Sequence, residues 1–508
     1  MMLNAALAGL GLSYLPQQQV QHFYRGREID PVLADWCEPF SGYHLWHDPS
    51  RRHLPSRCWG LVPATRRKPA RSVEEATRRH EGLPLHDPPR LSLAGVSFFR
   101  HGARMAAKMP WFAPLAAVLV IQTTATILSR IVATLAPPML AAHGWSADMV
   151  GWLAALNTAG SVVFLMAGTP LIYRLGSIRS LQTGMAVGVI GALMLVLPME
   201  LAALAGSFLM GLCYGPSVSG GGDILQRLSP PQHRNLLFSI KQAGVPLGGV
   251  LAGLILPLAA AYLGWQGAIL AVALLPVLTI LAVQPMRDAL DAGRDRSRRL
   301  SAAAFLSPGN LTRPLAVLGK APGLVAVGLA GCFMAIGQGA WFAFLVTYAA
   351  TELDFSLPLA GALFATMQTV SIGGRMLLGW VSDKLMPGLT VLRLCCLASA
   401  VATGTLALSG THWPVWSLFL LAAIAGIAVS SWNGVQNAEM ARRAPPGMIA
   451  ETMAGGTILI FTGYIIGPPL FGAVALMSGG MGTAFMVNAA ATLLAQIPLA
   501  WLSIRRSA

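Results

Sequence analysis

Residues 110–137 read Pro110-Trp-Phe-Ala-Pro-Leu-Ala-Ala-Val-Leu-Val-Ile-Gln-Thr-Thr-Ala-Thr-Ile-Leu-Ser-Arg130-Ile-Val-Ala-Thr-Leu-Ala-Pro137. Arg130 is the one charge in this stretch. Crossing ~30 Å of hydrocarbon takes ~20 apolar residues at ~1.5 Å each, so the segment is read as a membrane span. Similar segments then follow to the C-terminus. The pattern predicts twelve spans, the first over 111–137 and the last over 481–502.

Composition agrees. Of 508 residues, 55% are hydrophobic and 11% charged, against about 25% charged in a soluble domain. The net charge of +15 does not point to nucleic acid, because much of the basic excess lies before residue 110 and in a few short loops later. Basic loops flanking apolar spans are the pattern of orientation by the positive-inside rule. With residue 110 in the cytoplasm, the external loops 138–147, 199–200, 259–264, 349–356, 410–413 and 476–480 contain no Lys or Arg. The expected product is a multi-pass protein of a bacterial inner membrane, with both termini cytoplasmic. The six cysteines form no C-x2-C pair and no Cys/His cluster, so neither a disulfide framework nor a metal site is expected.

The basic segment 286–320 divides the spans six and six, and the two halves echo each other. Asp223-x3-Arg227 followed by Pro230-Pro231 ends the fourth span, and Glu439-x2-Arg442 followed by Pro445-Pro446 ends the tenth. The next span in each half carries a kink motif, Gly244-Val-Pro246 and Gly467-Pro468-Pro469. Parallel halves around a central site are a known transporter architecture. The expected domains are a six-helix bundle over 110–285, a basic loop over 286–320 and a second bundle over 321–508.

Between the eighth and ninth spans stands Gly379-Trp-Val-Ser-Asp383-Lys384. It resembles the G-x3-D-[RK] loop signature of the major facilitator superfamily, over roughly residues 110–505. The resemblance implies an all-α fold of twelve transmembrane helices in two six-helix bundles. It also implies secondary transport by alternating access, with a cytoplasmic gate built on Gly379, Asp383 and Lys384. The first-half counterpart keeps Arg174 and Gly176 but has Tyr173 at the acidic position. Asp223 or Glu439 could supply the missing charge.

Two charges fall inside apolar spans, Arg130 and Arg375. A guanidinium at depth costs at least ~2.5 kcal/mol and therefore faces a cavity or a partner. Its planar fork suits a carboxylate or another small oxyanion. Snorkelling to the external face (Arg130) or gate pairing (Arg375) are the bland readings. The spacing Arg130-x7-Pro138-x-Leu140 looks like the first helix of the cyanate-permease-like branch of the superfamily. Gln338, Gln368, Trp432 and Asn433 are further substrate-binding candidates. Lys241-Gln242 opens the fifth span and reads as an interfacial pair, the lysine snorkelling.

Residues 4–57 are similar to the C-terminal end of the effector domain of LysR-type transcriptional regulators. The likeness rests on Asn4-Ala-Ala-Leu-Ala-Gly-Leu-Gly-Leu-Ser-Tyr-Leu-Pro16, Val32-Leu-Ala-Asp-Trp36 and Pro49-Ser-Arg-Arg-His-Leu-Pro-Ser56. Residues 58–109 form a Pro- and Arg-rich linker. A piece this small lacks its sheet partners and should hold no core. The first ~105 residues are therefore expected outside the membrane and poorly folded, the product of a gene fusion or misplaced start, with the transporter beginning near Met105 or Met109.

The sequence reading is thus a monomeric, non-enzymatic, proton-coupled transporter of a small anion, such as an organic carboxylate, cyanate or nitrate. It needs no cofactor and binds no nucleic acid. Its partners are the anion, protons and the bilayer. The alternatives are proton-coupled efflux of drugs or metabolites, and a transporter-like sensor with residues 1–109 as its signalling module.

Overall fold

The computed structural model describes residues 13–16, 30–31, 43–47 and 112–507, apart from 229–233, 292–293, 296, 298–300, 302–304, 306–308 and 447. The chain divides into two units, Met1–Pro89 and Arg90–Ala508. In the first, strands β1 (Ser13–Pro16), β2 (Asp30–Pro31) and β3 (Tyr43–His47) form an antiparallel sheet in the order β1-β3-β2. Tyr14 pairs with Leu45 and Pro31 with Trp46. The other expectations for residues 1–109 lie outside the described residues.

The second unit is helical. Among the described residues, eleven segments are long and apolar enough to cross a membrane. One of them, Leu237–Leu290, has 54 residues and would be about 80 Å long if straight. It bends at Gly264, whose φ of 71° and ψ of 166° leave the helical region, a conformation open to glycine. Counting its two arms separately gives twelve spans.

In chain order these are α1 (Phe112–His143), α2 (Asp148–Ala167), α3 (Ser177–Leu195), α4 (Glu200–Leu228), α5 (234–263) and α6 (265–283), then α7 (Leu324–Thr351), α8 (Leu357–Lys384), α9 (Gly388–Ala407), α10 (Val415–Arg443), α11 (Ile449–Ser478) and α12 (Met481–Ser503). The α2–α3 and α6–α7 connections, with the adjoining ends of α4, α8, α9 and α10, carry basic residues such as Arg174, Arg227, Lys384, Arg393, Arg442 and Arg443 and define a basic face. The opposite connections contain no Lys or Arg.

Each half seats its kink motif against its own first helix. A Cβ on Gly244 of α5 would lie 3.1–3.2 Å from Leu119 and Gln122 of α1, and one on Gly467 of α11 would lie 2.8 Å from the Ile336 Cα of α7. The echo read from the sequence is therefore a repeated packing contact.

The halves meet closely at the non-basic end. A Cβ on Gly472 of α11 would fall 2.7 Å from the Asp148 Cα of α2, and one on Gly253 of α5 would fall 2.7 Å from the Gly361 carbonyl of α8. Gly151 is pressed against the Pro468–Pro469 backbone in the same way. Without side chains at these positions, backbone approaches backbone and excludes water and lipid. The halves are thus closed on the non-basic side.

Candidate functional site

A cavity of about 290 Å³ lies between the halves. It is lined from α1, α2, α4 and α5 on one side and from α7, α8, α10 and α11 on the other. Arg130 and Arg375 both line it, one from each half. α1 is interrupted at Arg130, which has φ −98° and ψ 0°, between its two helical arms. The Arg130 guanidinium carbon stands 4.3 Å from the centre of the Phe342 ring of α7, a cation–π contact across the two halves. Both arginines have a buried Nε with no hydrogen-bond partner, and no ion pair involves either one among the described residues. The described lining contains no Asp, Glu or His.

Gln338 and Asn433 also reach the cavity. The Tyr464 hydroxyl donates to Gln338 Oε1 at 2.7 Å, while Asn433 Oδ1 is buried and unpartnered. The structure places the other two candidates elsewhere. Gln368 packs against Gly249 where α8 meets α5. Trp432 is fully buried, and its indole N–H donates to the Val429 carbonyl at 2.9 Å. Neither lines the cavity. Sequence reasoning missed Tyr214, Tyr464 and Phe342, because aromatics inside apolar spans carry no mark separating packing from lining. Tyr464 did have one signal, its place one turn before the Gly467-Pro468 motif.

The gate candidates separate by half. Asp223 accepts a 2.6 Å bond from Arg227 and a bond from the Ser177 hydroxyl at the start of α3. Glu439 is buried and pairs with Arg442 and Arg443 of its own helix. Asp383 and Lys384 are exposed, and Gly379 has nothing within 4 Å of the position a Cβ would take. Arg174 lies in the short helix Thr169–Leu175 before α3.

The carboxylate serving the first-half loop is Asp291, which follows α6. It accepts from the Ile178 N–H at 2.8 Å and the Arg179 N–H at 3.1 Å, and pairs with the Arg179 guanidinium at 3.0 Å. Gly176, at φ 94°, passes so close that a Cβ there would run into this carboxylate. Burial pushes the Asp291 carboxyl above its ordinary range, while the N–H groups of Ile178 and Arg179 and the Arg179 charge pull it back.

Lys241 departs from its sequence reading. It is 3% exposed, and Nζ donates to the Val218 carbonyl of α4 at 3.0 Å. It does not snorkel, because α1 and α4 close over it.

A sequence profile described as Major Facilitator Superfamily matches residues 118–468, well over half the chain. The chain belongs to that superfamily. An uncharacterized MFS-type transporter of Mycobacterium tuberculosis is 26% identical over 344 residues, which covers 68% of this chain and 74% of that one. Among solved structures, a bacterial homolog of the human lysosomal transporter Spinster, inward-facing and unoccupied, aligns with a TM-score of 0.59 at 17% identity. The alignment covers 77% of this chain and 95% of that one. A peptide transporter POT in complex with sulfate aligns with a TM-score of 0.64 at 18% identity over 80% and 98% of the two chains. These likenesses establish the major facilitator fold, and with it a membrane transporter rather than an enzyme. Separately, a protein of Pseudomonas aeruginosa described as a transcriptional regulator is 45% identical over 60 residues, 12% of this chain and 19% of that one.

Proposed function

We propose that the chain is a secondary active transporter of a small anion, working by alternating access with proton coupling. One observation carries this reading: Arg130 and Arg375, from opposite halves, line one cavity whose described residues include no Asp, Glu or His. Two like charges left unneutralised in low dielectric are costly. An anion between them removes that cost, and guanidinium forks suit a carboxylate or a comparable planar oxyanion. Because the arginines come from different halves, the anion also draws those halves together. Ligand binding then biases the exchange between inward- and outward-open forms.

In this reading the basic face is cytoplasmic, as the positive-inside rule requires, and closure at the non-basic end makes the form described here inward-open. The host membrane is the bacterial inner membrane, and the working unit is a monomer. Gln338, Asn433, Tyr214 and Tyr464 orient the anion. Asp383 and Lys384 are positioned to join the cytoplasmic gate when that face closes.

The test is uptake of labelled acetate, succinate, cyanate and nitrate into proteoliposomes. Arg130→Gln and Arg375→Gln should each abolish uptake of the transported anion. Undiminished transport in both variants would refute the anion site.

A further inference from the structure

Among the described residues, Lys241 is the one buried cation of the first half that the anion site leaves unused. Among these residues its Nζ bonds to the Val218 carbonyl at 3.0 Å, and Val218 lines the cavity. So does the next residue in sequence, Gln242. Gly221 makes room for the lysine stem: a Cβ there would come within 3.0 Å of Lys241 Cε and 2.8 Å of Val118. The amine thus sits behind the cavity wall, bonded to one of its lining residues.

None of the surrounding elements gives it a counter-ion. From α4 it meets Val218 and Gly221, with Val118 of α1 also beside Gly221. The ionisable groups of α4 nearby in sequence are Tyr214, which lines the cavity, and Asp223, which Arg227 and Ser177 engage. α1 and α8 supply Arg130 and Arg375, further positive charges. On α3, Arg179 is paired with Asp288 and Asp291. Among the described residues no ion pair involves Lys241. Burying an ammonium with no counter-ion is costly. An anion in that cavity reverses the balance.

We propose that Lys241 carries the coupling proton, binding it together with the anion and releasing it when the anion leaves. This rests on the anion reading above. The chemistry is one protonation: water supplies H⁺ to the Nζ lone pair when the anion enters, and the N–H bond breaks to return H⁺ to water when the anion departs. Linkage is reciprocal, so the anion favours the proton and the proton favours the anion by the same factor. A lysine can act this way because its basicity follows its surroundings, whereas an arginine stays charged.

The experiment uses the full chain purified in detergent, in weakly buffered, mildly alkaline solution, where a buried amine can stand without its proton. Sodium acetate, succinate, cyanate and nitrate are each added while thermal stability and proton uptake (by an indicator dye) are followed. For an anion that stabilises the wild type, proton uptake should accompany binding. Lys241→Met should remove that uptake while keeping a stabilisation by the anion. Lys241→Arg, with its fixed charge, should remove uptake as well. Proton uptake persisting in either variant would overturn the proposal, and so would anion binding to the wild type without proton uptake. If no anion stabilises the wild type, the anion reading itself fails and this inference falls with it.

Discussion

At the scale of single residues, the two arginines were legible because a charge in an apolar span stands out by itself. Their neighbours were not. Tyr214, Tyr464 and Phe342 are aromatic residues in lipid-like sequence, and which way they face depends on helix rotation. Trp432 shows the converse, a prominent residue whose indole is spent on packing and a local carbonyl. Lys241 was misplaced because an N-terminal lysine on a span ordinarily snorkels. Here Gly221 lets two helices close around it. The guanidinium geometry gives a sharp expectation at Arg375. Its Nε has no protein partner and its side chain lines the cavity, so a bidentate anion there would be held in a way an ammonium cannot match. Charge-assisted bonds contribute ~1.5–3 kcal/mol, so Arg375→Lys should weaken anion affinity by about tenfold or more. Titration of the thermal stabilisation by the anion measures this, and equal affinity would mean that only charge matters there.

At the scale of elements, the spans and their six-plus-six grouping could be read directly, since length and hydropathy are properties of local sequence. The join at Gly264 was also read correctly as a boundary between two spans, although helical hydrogen bonding runs close to it on both sides. The charge relay of the α2–α3 loop was not legible. The sequence shows Tyr173 where an acid was expected, and the acid arrives from beyond α6 as Asp291. Such a contact joins residues more than a hundred positions apart and leaves no local pattern. Removing this carboxylate leaves the buried Ile178 N–H and the part-buried Arg179 N–H without their acceptor, while the Arg179 guanidinium keeps Asp288, at ~1–3 kcal/mol for a lost buried partner. Asp291→Ala should therefore lower the melting temperature clearly, and Asp291→Asn, which keeps an acceptor, should lower it less. The pH dependence has a definite sign. Burial raises the Asp291 carboxyl above its ordinary value, so the folded protein binds its proton more tightly than the unfolded chain does. This contribution to stability is full below the ordinary carboxylate range, about pH 4, and is lost as pH climbs through the raised value. Melting curves should show that decline in the wild type and a flatter profile in Asp291→Asn; an identical slope in both would remove Asp291 from the account.

At the scale of the whole molecule, the sequence implied two halves but not which end they close, because closure depends on contacts between elements distant in the chain. The structure shows those contacts as glycines. A Cβ on Gly361 would sit 2.5 Å from the Pro257 ring, and Gly253 and Gly472 are as tightly placed against opposing backbone. Proline rings and backbone cannot move aside as a flexible side chain can. A bulky residue at Gly361 must therefore hold α8 away from α5 at the non-basic end. Overpacking of this kind costs ~1–3 kcal/mol, and the cost falls only on the form closed at that end. The other form opens this contact and is spared. Gly361→Val should thus leave the protein folded but shift the population toward opening on the non-basic face by about tenfold. A cysteine replacing the cavity-lining Ala133 reports the shift. In the Gly361→Val background it should react with an impermeant maleimide from the non-basic face about tenfold faster than in the parent. Cys213, Cys395 and Cys396 are buried but Cys332 is half-buried, so labelling is read as the increment over the same chain without the introduced cysteine. If accessibility is unchanged while the protein remains folded, the α5–α8 contact is not what closes that face, and the α2–α11 contact at Gly151 and Gly472 must do so alone.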